Sequence, residues 1–291
     1  MRIISVPDYL KRPGWLIVLC WLAAMFWLIR YEAFPEWFAG HHQSYRDIFR
    51  SGLFIMDSWM RVSLDGRPAG YTHTWVDSET ADGRQLFRVR NQTALSIRLL
   101  GQPRALAVNI GATLDDDYRL LDFNAVLRAD AWQTRIEGRA AGPERFHVVI
   151  RAADTVREMD VTVPADALLH TPMTELLVGR LAPGQSLALR VFNPLTMGVE
   201  DVRVAAVARE TLRLDGRDHA VTLIKTYYQG LEMRAWVDDR GRTLRQETPF
   251  GLTMELCAPA DARLPEGGGP AADMPDLLGG WLHAPKASSA P

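Results

Sequence analysis

Cys257 is the only thiol outside the N-terminal hydrophobic run, so it is the one residue able to act as a cysteine nucleophile beyond that run. His219, with Asp238 or Asp239, could complete a Cys–His–Asp set around it. Nothing in the spacing requires this arrangement, because catalytic thiols usually lie at a helix start, whereas Cys257 follows a predicted strand. We therefore expect an inert, partly buried thiol, and a thiol-dependent enzyme is the less favoured alternative.

Two short runs contain residue types that bind metals. His41 and His42 are adjacent, so their side chains point apart on regular structure, and Asp115–Asp117 lacks the alternating spacing of a calcium loop. The sequence also has no H-E-x-x-H, P-loop, G-x-S-x-G or C-x-x-C motif. We expect a solvated linker and a solvated turn at these runs, and a noncatalytic protein without metal or cofactor.

The longest apolar run is GWLIVLCWLAAMFWLI, residues 14–29, which contains no charge and no proline. As a helix it would span about 24 Å, and the flanking Lys11, Arg12 and Arg30 could snorkel to complete a hydrocarbon core of about 30 Å. The run predicts a single transmembrane anchor. Its principal bilayer-facing residues would be Trp15, Leu16, Ile17, Trp21, Phe26, Trp27 and Ile29.

Charge on either side of this run predicts its orientation. Arg2, Lys11 and Arg12 precede it, whereas only one basic residue, Arg30, follows closely, with Glu32 and Glu36 nearby. The positive-inside rule then places the N-terminus in the cytoplasm and the remainder outside the bacterial inner membrane, in the periplasm. A cleaved signal peptide and a buried soluble helix are less favoured alternatives, since no A-x-A-like cleavage site follows the run.

From residue 60 the apolar residues alternate with polar ones, which predicts an antiparallel sheet with one buried face. Asp65-Gly66 and Asp215-Gly216 predict tight hairpin turns. About a dozen strands are expected, in one large curled sheet, half-barrel or barrel. One apolar face should run through a single long strand at Val202, Val204, Ala206, Ala208, Leu212 and Leu214.

Helical spacing interrupts the strands once, where Met173, Leu176, Leu177 and Leu181 share a face. This predicts one helix covering an end of the sheet. The expected organisation is a cytoplasmic N-terminus and anchor (1–31), a membrane-proximal linker (32–59), the β domain (60–257) and a largely disordered Pro/Ala/Gly-rich tail (258–291). Residues 273–282 of that tail form a short apolar patch that could dock on the domain or on a partner.

Four aromatic residues on or beside predicted strands could line an apolar cavity: Trp75, Trp132, Trp236 and Tyr228. A curled sheet with such a lining could bind a lipid or a lipoprotein. The simpler interpretation is that these large residues fill a β core. The net charge of -2, with basic residues scattered along the strands, argues against a nucleic-acid partner.

The segment LRLDGRDHAVTLIKTYYQGLEMRAWVDDRGRTLRQETPFGLTMEL contains an A-W-V-D strand end, a D-x-x-G turn and a Pro and Gly before the last strand. It resembles the noncatalytic β-rich domain that precedes the core of bacterial membrane-anchored transglutaminase-like proteins. The matching positions are Ala235, Trp236, Val237, Asp238, Asp239, Gly241, Leu244, Arg245, Glu247, Pro249 and Gly251. No catalytic core follows Cys257 in this sequence, so the resemblance implies the β domain alone and carries over no active-site residue.

These observations together predict a membrane-anchored periplasmic accessory or binding domain. Its expected partners are the inner membrane, through one helix, and an integral membrane protein of an exporter or envelope-assembly system. Apolar-ligand binding by the curled sheet is the alternative function.

Overall fold

The computed structural model describes residues 56–81, 83–99, 102–130, 132–164, 167–169, 181–228, 230–266 and 269. In this part of the chain fifteen strands form one sheet, and a 3-10 helix follows at Pro259–Asp261. The strands are β1 (Met56–Leu64), β2 (Arg67–Ala81), β3 (Arg84–Leu99), β4 (Gln102–Leu114), β5 (Leu120–Ala129), β6 (Trp132–Ala140), β7 (Arg145–Ala152), β8 (Thr155–Thr162), β9 (Ala167–Leu169), β10 (Ser186–Asn193), β11 (Gly198–Leu214), β12 (Arg217–Tyr228), β13 (Leu231–Asp238), β14 (Thr243–Glu247) and β15 (Leu252–Leu256). The mainly β prediction is confirmed.

The order of the strands requires the sheet to curl. The order is β8-β7-β6-β5-β4-β3-β2-β1-β15-β14-β13-β12-β11-β10-β9, so β8 and β9 lie at opposite edges. At about 4.8 Å per strand spacing, the two edges of a flat sheet of this size would be about 67 Å apart. Yet Thr162 ends β8 and Ala167 begins β9, and five consecutive peptide units reach at most about 19 Å. Only a curled sheet satisfies both conditions.

The sheet remains unclosed, because β8 pairs with β7 alone and β9 pairs with β10 alone. Every pairing is antiparallel except the short parallel contact between β9 and β10. The predicted curled antiparallel sheet is therefore confirmed, as a sheet that curls without closing.

A cluster of buried side chains packs across the inside of the curl. Phe123 of β5 contacts Phe192 of β10 edge to face, with ring centroids 5.3 Å apart, and Phe146 of β7 at 6.0 Å. Strands β5 and β10 are far apart in the strand order, so this contact joins opposite walls. The cluster also contains Val161 from edge strand β8 and Ala167 from edge strand β9. Burial of this inner face is what stabilises the curl.

A glycine makes room for the largest ring of this cluster. Gly138 of β6 lies directly opposite Phe123 of β5, and a methyl group built on Gly138 would overlap the Phe123 ring. The absence of a side chain at this position lets the ring lie flat over β6 and reach the far wall.

A β-bulge in β11 changes which face its apolar residues occupy. Ala206 pairs with Ile224, but Ala208 pairs with Leu223, so one residue of β11 is inserted between them. The expectation of one continuous apolar face along β11 was therefore wrong. Val202, Val204 and Ala206 pack on the inner face, whereas Leu212 and Leu214 beyond the bulge point to the opposite face of β11 and belong to a separate cluster with Val221 and Leu244.

Side chains of β11 and of the turn that follows it contact two strands that are not paired with β11. Asp215 in its turn forms an ion pair of 2.9 Å with Arg61 of β1. Glu210 accepts a 3.0 Å hydrogen bond from the Trp236 indole of β13. The turn has the predicted form, since Asp215 and Gly216 have φ of 47° and 77°, as a two-residue hairpin turn requires.

Several sequence predictions fall outside the described residues. The anchor at 14–29 lies there, as do the histidine pair, the apolar patch at 273–282 and most of the covering helix; residues 181–184, at the end of that helix, form a turn. Across the ranges that the structure describes, no helix is both long enough and apolar enough to cross a membrane. Strand β1 begins at Met56, four residues before the predicted start of the β domain at 60.

Replacing Gly138 with Ala should destabilise the fold, because the added methyl group must displace the buried Phe123 ring. We expect a loss of about 1–3 kcal/mol in the free energy of unfolding, measured by thermal and denaturant melts of the full-length protein in neutral detergent. Gly142→Ala is the matched control, since its methyl group would have no neighbour closer than 3.9 Å. Equal stability of the two variants would show that Phe123 does not need this space.

Candidate functional site

A stack of aromatic side chains lies on the outer face of β1 and β2. Its members are Trp59, Tyr71, His73 and Trp75, here called the aromatic ladder. In both strands they alternate with buried residues, Met60 and Val62 in β1 and Thr72 and Thr74 in β2. This alternation places the ladder on the face turned away from the core.

The rings of the ladder are in close contact. The His73 imidazole stacks on Trp59 with centroids 3.7 Å apart and planes 11° apart, and on Trp75 at 4.5 Å and 21°. Tyr71 lies 5.9 Å from Trp59. Register explains this geometry, because Trp59 is paired with His73 across the two strands and the other members follow at a spacing of two.

Charged groups fix both sides of the ladder. Asp57 Oδ1 lies 2.6 Å from His73 Nε2, so the carboxylate orients the imidazole between the two indoles. The guanidinium of Arg90, on β3, lies 5.7 Å from the Trp75 ring centroid and forms a cation–π contact. Only 14% of the His73 side chain is exposed, whereas 68% of Asp57 is. The ladder is thus a rigid, partly exposed aromatic surface with one acidic and one basic group at its edge.

The four aromatic residues predicted to line a cavity do not meet in the structure. Trp75 belongs to the outer ladder, Trp236 lies on the outer face and donates a hydrogen bond to Glu210, and Trp132 is 51% exposed at the start of β6. Tyr228 alone of the four is buried on the inner face, with 8% of its surface exposed. Burial, assisted by hydrogen bonding to Glu200, raises the pKa of Tyr228 to about 12.

Polar groups are present inside the curl as well. Asn91 donates hydrogen bonds to the hydroxyls of Thr72 and Thr74 at 3.0 and 2.8 Å, and Thr93 donates to Thr72 at 2.9 Å. These residues face the interior from β2 and β3. Because their polar atoms bond to one another, the network is a satisfied part of the core, and the inner face there is not a purely apolar lining.

Among the described residues, the groups considered for catalysis or metal binding make the following contacts. Cys257 is partly buried, and this burial raises the pKa of its thiol above the ordinary value, an effect that Arg61 nearby only partly offsets. Asp238 accepts hydrogen bonds from Arg242 and caps its own turn. Asp115 likewise accepts bonds from backbone amides of its turn. In the part of the chain that the structure covers, no group of three His, Cys, Asp or Glu side chains could hold a metal ion.

Tyr71, His73 and Asp57 belong to no site that the sequence predicted. The signal was present in the run Y-T-H-T-W at residues 71–75, where aromatic rings recur with a period of two beside small polar residues. Such a pattern predicts an aromatic stripe on one face of a strand, and the register with the neighbouring strands shows that this face is the outer one.

No protein-family model matches the sequence, and no curated protein matches it. Among solved structures, the chain is similar to a β-barrel-like protein of the domain of unknown function DUF1849 from Brucella abortus. The identity is 14% over 71% of this chain and 98% of that one, with a TM-score of 0.48. It is also similar to a DUF1089 family protein from Pseudomonas aeruginosa, at 14% identity over 69% and 95% of the chains and a TM-score of 0.32.

Likenesses of this strength carry no argument about function. They agree with a β-rich, barrel-like domain of unknown function, which the sheet itself establishes. They do not support the resemblance to the domain that precedes transglutaminase-like cores.

Proposed function

We propose that this chain is a noncatalytic, membrane-anchored accessory protein of the bacterial periplasm, and that its β domain binds an integral membrane protein through the aromatic ladder. The anchor is inferred from the apolar run at residues 14–29 and its flanking charges. The observation that supports the binding role is the stacking of the ladder's aromatic rings on the first two strands of the domain.

The physical properties of the ladder suit a protein interface. Tryptophan, tyrosine and arginine are the residues most enriched at the energetic centres of interfaces. Stacking and the Asp57 contact already hold the rings in place, so little side-chain entropy remains to be lost on binding. The partner surface should be apolar or aromatic at its centre, with an acidic group positioned to meet Arg90.

The inner face supports this role better than the alternative of apolar-ligand binding. Inside the curl, Phe123 packs against both Phe146 and Phe192. Elsewhere on the described inner face the Asn91 network supplies hydrogen-bonded polar groups rather than apolar surface.

Photo-crosslinking in intact membranes tests the partner surface. With p-benzoylphenylalanine at position 75 of the full-length protein, we expect an adduct with an integral membrane protein. The same probe at position 236, an outer-face tryptophan that lies outside the ladder and is hydrogen-bonded to Glu210, should give none. Trp75→Ala should reduce recovery of that partner at least about tenfold. Equal adducts from both positions, or none from position 75, would contradict the proposal.

The noncatalytic part of the proposal concerns Cys257. Because burial raises the pKa of this thiol, its thiolate fraction at neutral pH should be smaller than that of an ordinary cysteine. In a Cys20→Ser background, iodoacetamide should therefore modify the folded protein more slowly than the denatured one at pH 7–8. The pH at which the alkylation rate begins to rise should be higher for the folded protein than for the denatured one. Cys257→Ser should leave partner recovery unchanged. Alkylation faster than in the denatured chain would indicate an activated thiol.

A further inference from the structure

An open groove of about 560 Å³ lies beside the first residues of β6. It is lined by Trp132, Gln133, Arg135, Arg151 and Ala153. Gln133 and Arg135 alternate along β6 with the buried Thr134 and Ile136, so these two lining residues lie on the outer face, and Trp132 borders them at the first position of the strand. It is formed by strands β6 and β7, whereas the aromatic ladder is formed by β1 and β2, which makes it a separate surface.

The groove has an excess of positive charge at its centre. Arg135 and Arg151 stand directly opposite each other on paired strands, an arrangement that is destabilising for like charges. The carboxylate of Glu137 forms ion pairs with both arginines, at 2.7 Å from Arg151 and 3.8 Å from Arg135. A third cation, Arg128, is bonded through Nε to the neutral Gln133. An anion in the groove would relieve this repulsion.

Apolar surface adjoins the two arginines. Trp132 is 51% exposed and Val156 of β8 is 59% exposed, so both present apolar surface to the solvent. Val156 is paired directly with Arg151, so it borders the groove on the β8 side. A ligand that satisfied both parts of the surface would carry a negative group and an apolar portion on the same molecule.

We propose that this groove binds a phosphate-bearing amphiphile. The phosphate accepts hydrogen bonds from the guanidinium groups of Arg135 and Arg151, whose planar forks match phosphate oxygens. The apolar portion covers the indole of Trp132 and the side chain of Val156. This site is independent of the partner surface proposed for the ladder.

The test uses the full-length protein labelled with 5-fluorotryptophan, in neutral maltoside micelles, and follows its fluorine resonances by NMR. Trp132→Phe assigns the resonance of Trp132. Dihexanoylphosphatidylglycerol should shift that resonance saturably, whereas zwitterionic dihexanoylphosphatidylcholine should need at least about tenfold more lipid, because its choline offsets the phosphate charge. The resonances of Trp59, Trp75 and Trp236 report any general effect of the lipid on the micelle.

Substitution of the arginines separates specific binding from partition. Arg135→Gln and Arg151→Gln should each weaken the phosphatidylglycerol response about tenfold. Arg209→Gln is the matched control, since Arg209 is an exposed arginine paired with Asp239 at 3.1 Å on another part of the surface. An unmoved Trp132 resonance, or an equal response in all three variants, would overturn the proposal. An equal response to inorganic phosphate alone would overturn the assignment of an amphiphile.

Discussion

The short connection between Thr162 and Ala167 is the constraint on which the rest of the structure depends. It joins the two edges of a fifteen-stranded sheet, and so the sheet must bend until β8 and β9 are neighbours. Bending brings Phe123 and Phe192 from opposite walls into contact, and burial of these rings supplies the free energy that holds the curl. Gly138 contributes by leaving the space that the Phe123 ring occupies.

The curl also determines where binding surfaces can form. Large apolar side chains occupy much of the described inner face, so the side chains left to meet other molecules are those of the outer face. Two outer regions differ in chemistry. The ladder is aromatic and held rigid by Asp57, which suits a protein interface. The groove at Trp132 has paired guanidinium groups, which suits a small anionic amphiphile.

Alternation of apolar residues and Asp-Gly turns were sufficient to predict most of the sheet, because each is a local property of the chain. The β11 bulge was not predictable in this way: one inserted residue moved Leu212 and Leu214 to the other face without altering their spacing in the sequence. The prediction that Trp75 and Trp236 line one cavity failed for a related reason. Trp75 and Trp236 look like core residues by type, and only their register with neighbouring strands shows that they lie outside.

The central claim, that the two edges of the sheet lie together, can be measured as a distance. Spin labels at Thr162 of β8 and Ala188 of β10, in a variant with Cys20 and Cys257 replaced by serine, report the separation by pulsed electron paramagnetic resonance. A curled sheet predicts a distribution centred below about 30 Å, since the edges are joined by five peptide units. In a flat sheet the two labels would be thirteen strand spacings apart, which is about 60 Å. A measured distance of that size would contradict the account.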